Sequence, residues 1–181
     1  MTSPTRPVTR ADADVVTAQL GRPPRGLRGV AHHCACGLPD VVETAPRLSD
    51  GTPFPTLYWL TCPRARSAIG RLEAGGVMAE MSERLRAEPA LATQYAQAHT
   101  DYVARRDEIE ALPGAPGAGG MPNRVKCLHV LVAHELAVPG ANPLGRATLD
   151  LLDDWGVAGT CVPPEAVHSL RVAAEDVPDA R

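Results

Sequence analysis

At 181 residues, with 44% hydrophobic, 22% charged and only 3% aromatic residues, the chain has the make-up of one globular domain with a core of Leu, Val and Ala. A formal net charge of -3 excludes a surface-wide field for nucleic acid, so generic nucleic-acid binding is not expected and any phosphate contact must be a local patch. No run approaches the ~20 apolar residues that cross a bilayer, and no signal-type segment opens the chain, so a cytoplasmic protein that does not engage a membrane is expected.

Residues 1–8 are polar and contain prolines, which predicts a flexible tail ending where Thr9 can cap a helix over 10–20, with Gly21 as its stop. The prolines of GRPPRG break that pattern, and segments 27–34 and 41–44 then read as strands on either side of a turn at CGLPD. After the Asp50-Gly51 turn, the β-branched and aromatic content of 56–61 marks a third strand. Pro63 suits the first turn of a helix running through 65–74 to Gly75-Gly76; further helices are expected over 77–87 and, after Pro89, over 90–112. PGAPGAGGMP is a glycine-rich loop, from which Pro122 or Asn123 can start a helix ending near VPG at 138–140. Asn142 and Pro143 form an N-cap and first-turn pair for a last helix reaching Trp155, and residues 156–181 read as a weakly ordered tail. The fold class expected is α+β: a small antiparallel sheet of about three strands packed by five or six helices, as a single domain over 9–155.

Five cysteines in a reducing compartment point to thiols or metal ligands rather than to a disulfide framework. Cys34, Cys36, Cys62 and Cys127 fall at turns or element ends, from which thiolates can converge on zinc, or less readily on an iron–sulfur cluster. Side-chain alternation would send Cys34 and Cys36 to opposite faces of a strand, so both reach one ion only if the backbone turns there, as Gly37 and Pro39 permit. The expected ligands are Cys34, Cys62 and Cys127, with Cys36 or His129 as the fourth. His129 joins Cys127 only if the helix begins just after Cys127. His134, seven residues on, stands about 10.5 Å further along the helix axis and belongs to a neighbouring pocket. Cys161, in the tail, reads as a bystander.

Arg124 and Lys126, the only lysine of the chain, lie where the glycine-rich loop feeds a helix N-terminus, an arrangement that can hold a small anionic ligand. The phosphate-loop pattern GxxxxGK[ST] is absent. The primary expectation is therefore a metal-binding domain with a neighbouring basic and histidine pocket. Its rivals are a metal- or thiol-dependent enzyme acting on a small anionic or phosphorylated substrate, and a metal-free protein-interaction module. Nothing in the pattern predicts a protein partner or an oligomeric state.

At GTPFPTLYWLTCP, KCLHVLVAHELA and NPLG the chain resembles the domain of unknown function 501 family of uncharacterised bacterial proteins, over residues 19–152. The family motifs fall on Cys34, Phe54, Pro55, Thr56, Tyr58, Cys62, Lys126, Cys127, His129, His134, Asn142, Pro143 and Gly145. The resemblance implies that these blocks form one assembly and adds Thr56, Tyr58 and Asn142 to the pocket residues. It implies no activity or cofactor. Relatives often have a second histidine where this chain has Leu131, in a KCLHxHxAH pattern.

Overall fold

The structure is a computed structural model that describes residues 5–114, 117–153, 155 and 159–168. The expectations for the first tail residues (1–4), for 115–116 of the glycine-rich loop and for much of the C-terminal segment (154, 156–158 and 169–181) lie outside the described residues.

The sheet is an antiparallel meander of β1 (Arg6–Pro7), β2 (Leu27–His33), β3 (Pro39–Thr44) and β4 (Tyr58–Leu60), in the order β1-β2-β3-β4. The expectation of about three strands thus becomes four, because Arg6 and Pro7 pair with Val30 and Gly29. The helices are α1 (Arg10–Leu20), α2 (Pro63–Ala74), α3 (Val77–Ala87), α4 (Pro89–Ile109), α5 (Leu128–Ala137) and α6 (Pro143–Leu149), followed by a short helical α7 over 164–168. The fold is α+β.

Local chemistry sets several of these boundaries. Thr9 and Asp12 form a reciprocal capping box that starts α1: Thr9 Oγ1 accepts from the Asp12 N–H, and the Asp12 carboxylate accepts from the Thr9 N–H. Gly21 ends α1 in the left-handed conformation at φ 68°. Between β2 and β3 the chain reverses over 34–38, where the Gly37 N–H donates to the Cys34 carbonyl at 2.8 Å and Gly37 adopts φ 83°.

Alternation along the strands divides the sheet into two buried faces. Val41, Tyr58, Leu60 and Cys62 belong to the main core, which α5 completes with Leu128, Leu131, Val132 and Ala133. Val42, pointing the other way, lies on the side covered by α1, whose Val15 and Val16 are buried. Buried residues fall on every side of α5, as suits a helix held between β4 and α6 rather than on the surface.

α5 starts later than the loop composition predicts. Residues 119–126 form a compact turn instead, with Gly119 and Gly120 at φ 65° and 94° and the Lys126 N–H donating to the Gly119 carbonyl at 2.7 Å. A Cβ on Gly120 would lie 2.6 Å from the Arg124 carbonyl oxygen, so glycine is required there. α6 also stops earlier than expected, at Leu149, and Leu151 and Leu152 leave it in tight turns. Among the described residues, no helix is long and apolar enough to cross a membrane.

Candidate functional site

The structure separates the residues expected to share one centre into two groups. In the first, the sulfurs of Cys34, Cys36 and Cys161 all lie within 4.8 Å of one another. The turn over 34–38 brings Cys34 and Cys36 to the same side, with Cα atoms 5.3 Å apart, and joins them as a disulfide. Cys62, fully buried where β4 passes into α2, is hydrogen-bonded to Cys161. Gln19 on α1 completes the surroundings: its amide N–H donates to Cys161 Sγ at 3.3 Å and to the Pro39 carbonyl at 2.6 Å. Arg64 Nη1 donates to the Gly159 carbonyl at 2.8 Å, tying the segment that carries Cys161 to the start of α2.

The electrostatics of this group follow from its contacts. The hydrogen bond from Cys62, helped by the Gln19 amide, lowers the Cys161 thiol to about 6. The same bond and burial push the Cys62 thiol up. Cys161 is therefore the sulfur at which negative charge is best accommodated, and it touches or neighbours the other three. Reduced, Cys34, Cys36 and Cys161 offer three mutually close thiolates, with Cys62 beside Cys161 but outside that mutual 4.8 Å.

The second group stands where α2 ends and α5 begins. Cys127 is the N-cap of α5, so the helix starts one residue later and His129 comes round beside it, with Cys127 Sγ and His129 Nδ1 3.9 Å apart. Glu73 near the end of α2 lies on the other side, its Oε1 3.1 Å from His129 Nδ1. The same oxygen accepts the Leu128 N–H at 2.7 Å, so the α5 N-terminus, expected to hold an anionic ligand, is capped by the protein's own carboxylate. His129 Nε2 reaches the Arg66 carbonyl at 3.1 Å. The Cys127 contact, followed by the Glu73 charge and the Arg66 carbonyl, raises the His129 pKa to about 9 against the opposing effect of burial. A cavity of about 260 Å³ opens beside this group, lined by Phe54, Thr56, Tyr58, Trp59, Cys127 and His129 among others.

The remaining expected pocket residues do not gather in one basic and histidine pocket. Arg124 and Lys126 are exposed on the 119–126 turn. His134 is fully buried, stacked on Tyr58 with ring centroids 6.0 Å apart and edge-on to Tyr102 at 5.1 Å. Burial, with the Arg105 charge adding to it, lowers the His134 pKa to about 4, so the ring is neutral near pH 7. Asn142 caps α6 through Oδ1, which accepts the Gly145 N–H at 2.8 Å; its Nδ2 lies 3.4 Å from His134 Nδ1. Gly145 explains the rest of NPLG, since a Cβ there would lie 2.2 Å from the Leu131 carbonyl oxygen. His134, Asn142 and Gly145 thus pack α5 against α6 and β4. Leu131 is a fully buried core residue.

A family model described as a protein of unknown function (DUF501) matches residues 30–150, well over half of the chain. The chain belongs to that family. No curated protein and no solved structure matches it. The DUF501 match takes in Cys34, Cys36, Cys62, Glu73, Cys127 and His129, whereas Gln19 and Cys161 fall outside it.

Sequence reasoning missed Cys161 and Glu73. The available signal for Cys161 was the pairing of a cysteine-bearing turn with three other thiols. Glu73 carries no such signal, because an acidic residue near a helix end is ordinary and only the α2–α5 packing brings it to His129.

Proposed function

We propose that this DUF501 protein is a metal-binding domain whose principal centre is a zinc ion held by Cys34, Cys36, Cys62 and Cys161. The observation that carries the reading is the mutual approach of the Cys34, Cys36 and Cys161 sulfurs to within 4.8 Å, with Cys62 hydrogen-bonded to Cys161. Thiolates around one zinc at ~2.3 Å stand ~3.8 Å apart along each tetrahedral edge, so the spacing of Cys34, Cys36 and Cys161 suits a single ion. Cys62, beside Cys161 but outside that mutual 4.8 Å, would have to shift towards them to be the fourth ligand. An iron–sulfur cluster needs its thiolates held further apart around several irons, which makes zinc the better match.

With all positions filled by sulfur the ion would be structural. It would tie the β2–β3 turn, the β4–α2 junction and the Gly159–Cys161 segment together, much as a small hydrophobic core would. The Cys34–Cys36 disulfide makes the state of the centre redox-dependent, because only the reduced pair supplies thiolates. Protein prepared under reductant should therefore retain about one zinc through chelator dialysis, measured by elemental analysis, and release it on treatment with a disulfide-forming oxidant. Reduced protein that is metal-free and fully folded would contradict the reading.

The same disulfide favours a second reading, thiol–disulfide exchange. Here the Cys161 thiolate attacks one sulfur of the Cys34–Cys36 bond, forms a mixed disulfide and releases the other sulfur as thiolate. Trapping of a Cys161-linked species by an alkylating agent in metal-free protein would support it. The enzyme reading with a small anionic substrate gains no contact from Arg124 or Lys126 at either group.

A further inference from the structure

The Glu73, Cys127 and His129 group is independent of the cysteine centre, and its hydrogen bonding has a direction. His129 Nε2 faces the Arg66 carbonyl oxygen at 3.1 Å, and a carbonyl oxygen can only accept. Nε2 therefore carries a proton. Nδ1 faces the Glu73 carboxylate, which also only accepts, so Nδ1 carries a proton as well, one that a bound metal would displace to free the Nδ1 lone pair. This is how a metal-ligating histidine is held: one nitrogen donates to the backbone and fixes the ring so that the other faces the ion.

Nδ1 is the atom that faces both other donors, Cys127 Sγ at 3.9 Å and Glu73 Oε1 at 3.1 Å, and all three atoms lie within 4.8 Å of one another. Tetrahedral edges around zinc are about 3.6 Å for sulfur to nitrogen and about 3.3 Å for nitrogen to oxygen, from bonds of about 2.3 and about 2.05 Å. The observed separations bracket those edges. Glu73 is itself oriented by the Leu128 N–H at 2.7 Å.

We infer that Glu73 Oε1, Cys127 Sγ and His129 Nδ1 form a second, three-ligand divalent-metal site whose fourth position is open to an exchangeable ligand from the aromatic cavity. Cys127 and His129 both line that cavity, and Phe54, Tyr58 and Trp59 supply its apolar walls. Its volume of about 260 Å³ admits a small molecule. The chemistry that fits is a metal-binding head, such as a carboxylate, on a compact aromatic or aliphatic body. Three mixed protein ligands with one open position are the pattern of a reactive centre, in contrast to a closed all-thiolate site.

Cobalt(II) is a suitable probe, added to the reduced, chelator-treated full-length protein and followed by visible absorption, with benzoate as the test ligand. Wild-type protein is expected to take up two equivalents, and benzoate to alter the ligand-field bands of one. His129→Ala and Glu73→Gln should each weaken that equivalent by more than about 100-fold, the upper end of the cost of losing even an outer-shell partner. Both variants should keep the sulfur charge-transfer bands of the other equivalent, which reports that the fold is retained. If wild type binds a single equivalent that neither substitution alters, the site is wrong. If the second equivalent binds but benzoate leaves its spectrum unchanged, the open position is wrong. Failure of the cysteine centre would appear instead as loss of the multi-thiolate bands with the His129-dependent equivalent intact.

Discussion

The cysteine group and the Glu73–Cys127–His129 group differ in how many parts of the chain they join and in how they meet solvent. The first collects sulfurs from the β2–β3 turn, the β4–α2 junction and the segment before α7, with Gln19 of α1 against it; Cys34 and Cys62 are buried. The second needs only the two ends of a helix–helix contact, mixes oxygen, sulfur and nitrogen, and borders a cavity. Many chain segments and a uniform soft donor set suit a structural clamp, whereas few segments and a mixed set suit a site that exchanges ligands. The two lie at opposite ends of α2, Cys62 just before its first residue and Glu73 near its last. Eleven residues of helical rise separate them by ~16 Å, too far for shared ligands.

The largest effect should come from removing the clamp. Cys161→Ser is expected to lose the chelator-resistant zinc and to lower the thermal midpoint by ~10 °C or more, because structural zinc contributes directly to folding. Scanning calorimetry of reduced protein checks this, and an unchanged midpoint would place the stability of the α1–β3–α2 corner elsewhere. His129→Ala should leave the midpoint nearly unchanged, which is the sharpest functional contrast between the two groups.

A comparable loss without any change in metal content is expected for Gly145→Ala. Its Cβ would meet the Leu131 carbonyl oxygen at 2.2 Å, and moving α6 away from α5 should cost about 2–4 kcal/mol in urea unfolding. This separates ordinary core packing from metal clamping.

The next effect is acid sensitivity. His134 has its folded pKa depressed to about 4, below the ordinary value of 6.5. The unfolded chain therefore binds more protons between those values, so the stability from the neutral ring is present above pH 6.5 and is lost as pH falls towards 4. From pH 7 to pH 5 the loss attributable to this ring should be about 2 kcal/mol. Urea midpoints at the two pH values should show it in wild type and show a shallower fall in His134→Gln.

Legibility in the sequence followed the range of the interactions. Caps and stops were readable because they are local: Thr9 with Asp12, Pro63, Gly75-Gly76 and Asn142-Pro143 each carry their own partner within a turn. The late start of α5 was not, since it depends on how Gly119 and Gly120 fold 119–126 back on themselves. The conditional that His129 meets Cys127 when the helix begins after Cys127 is the geometry found. A single shell uniting Cys127 with Cys34 and Cys62 is not, because Cys127 is held at the far end of α2. Cys161 was passed over because composition describes only its neighbours, and Glu73 because nothing local distinguishes it from other helical acids. β1 was hidden for a similar reason: a two-residue strand containing proline has no periodicity to read.

The smallest effect is expected on the 119–126 turn. Arg124→Ala and Lys126→Ala remove exposed cations, and each should change stability by less than about 0.5 kcal/mol and leave cobalt uptake at both groups unaltered. A marked loss at the second group would mean that these cations contribute to its cavity.

The most direct measurement is zinc X-ray absorption on reduced His129→Ala protein purified without added metal, in which the second group has lost its histidine and the cysteine centre is intact. About one zinc per chain with an all-sulfur shell at ~2.3 Å is the expected result. Zinc-free protein with a wild-type fold, or a shell containing nitrogen or oxygen in place of sulfur, would contradict the assignment of Cys34, Cys36, Cys62 and Cys161 as its ligands.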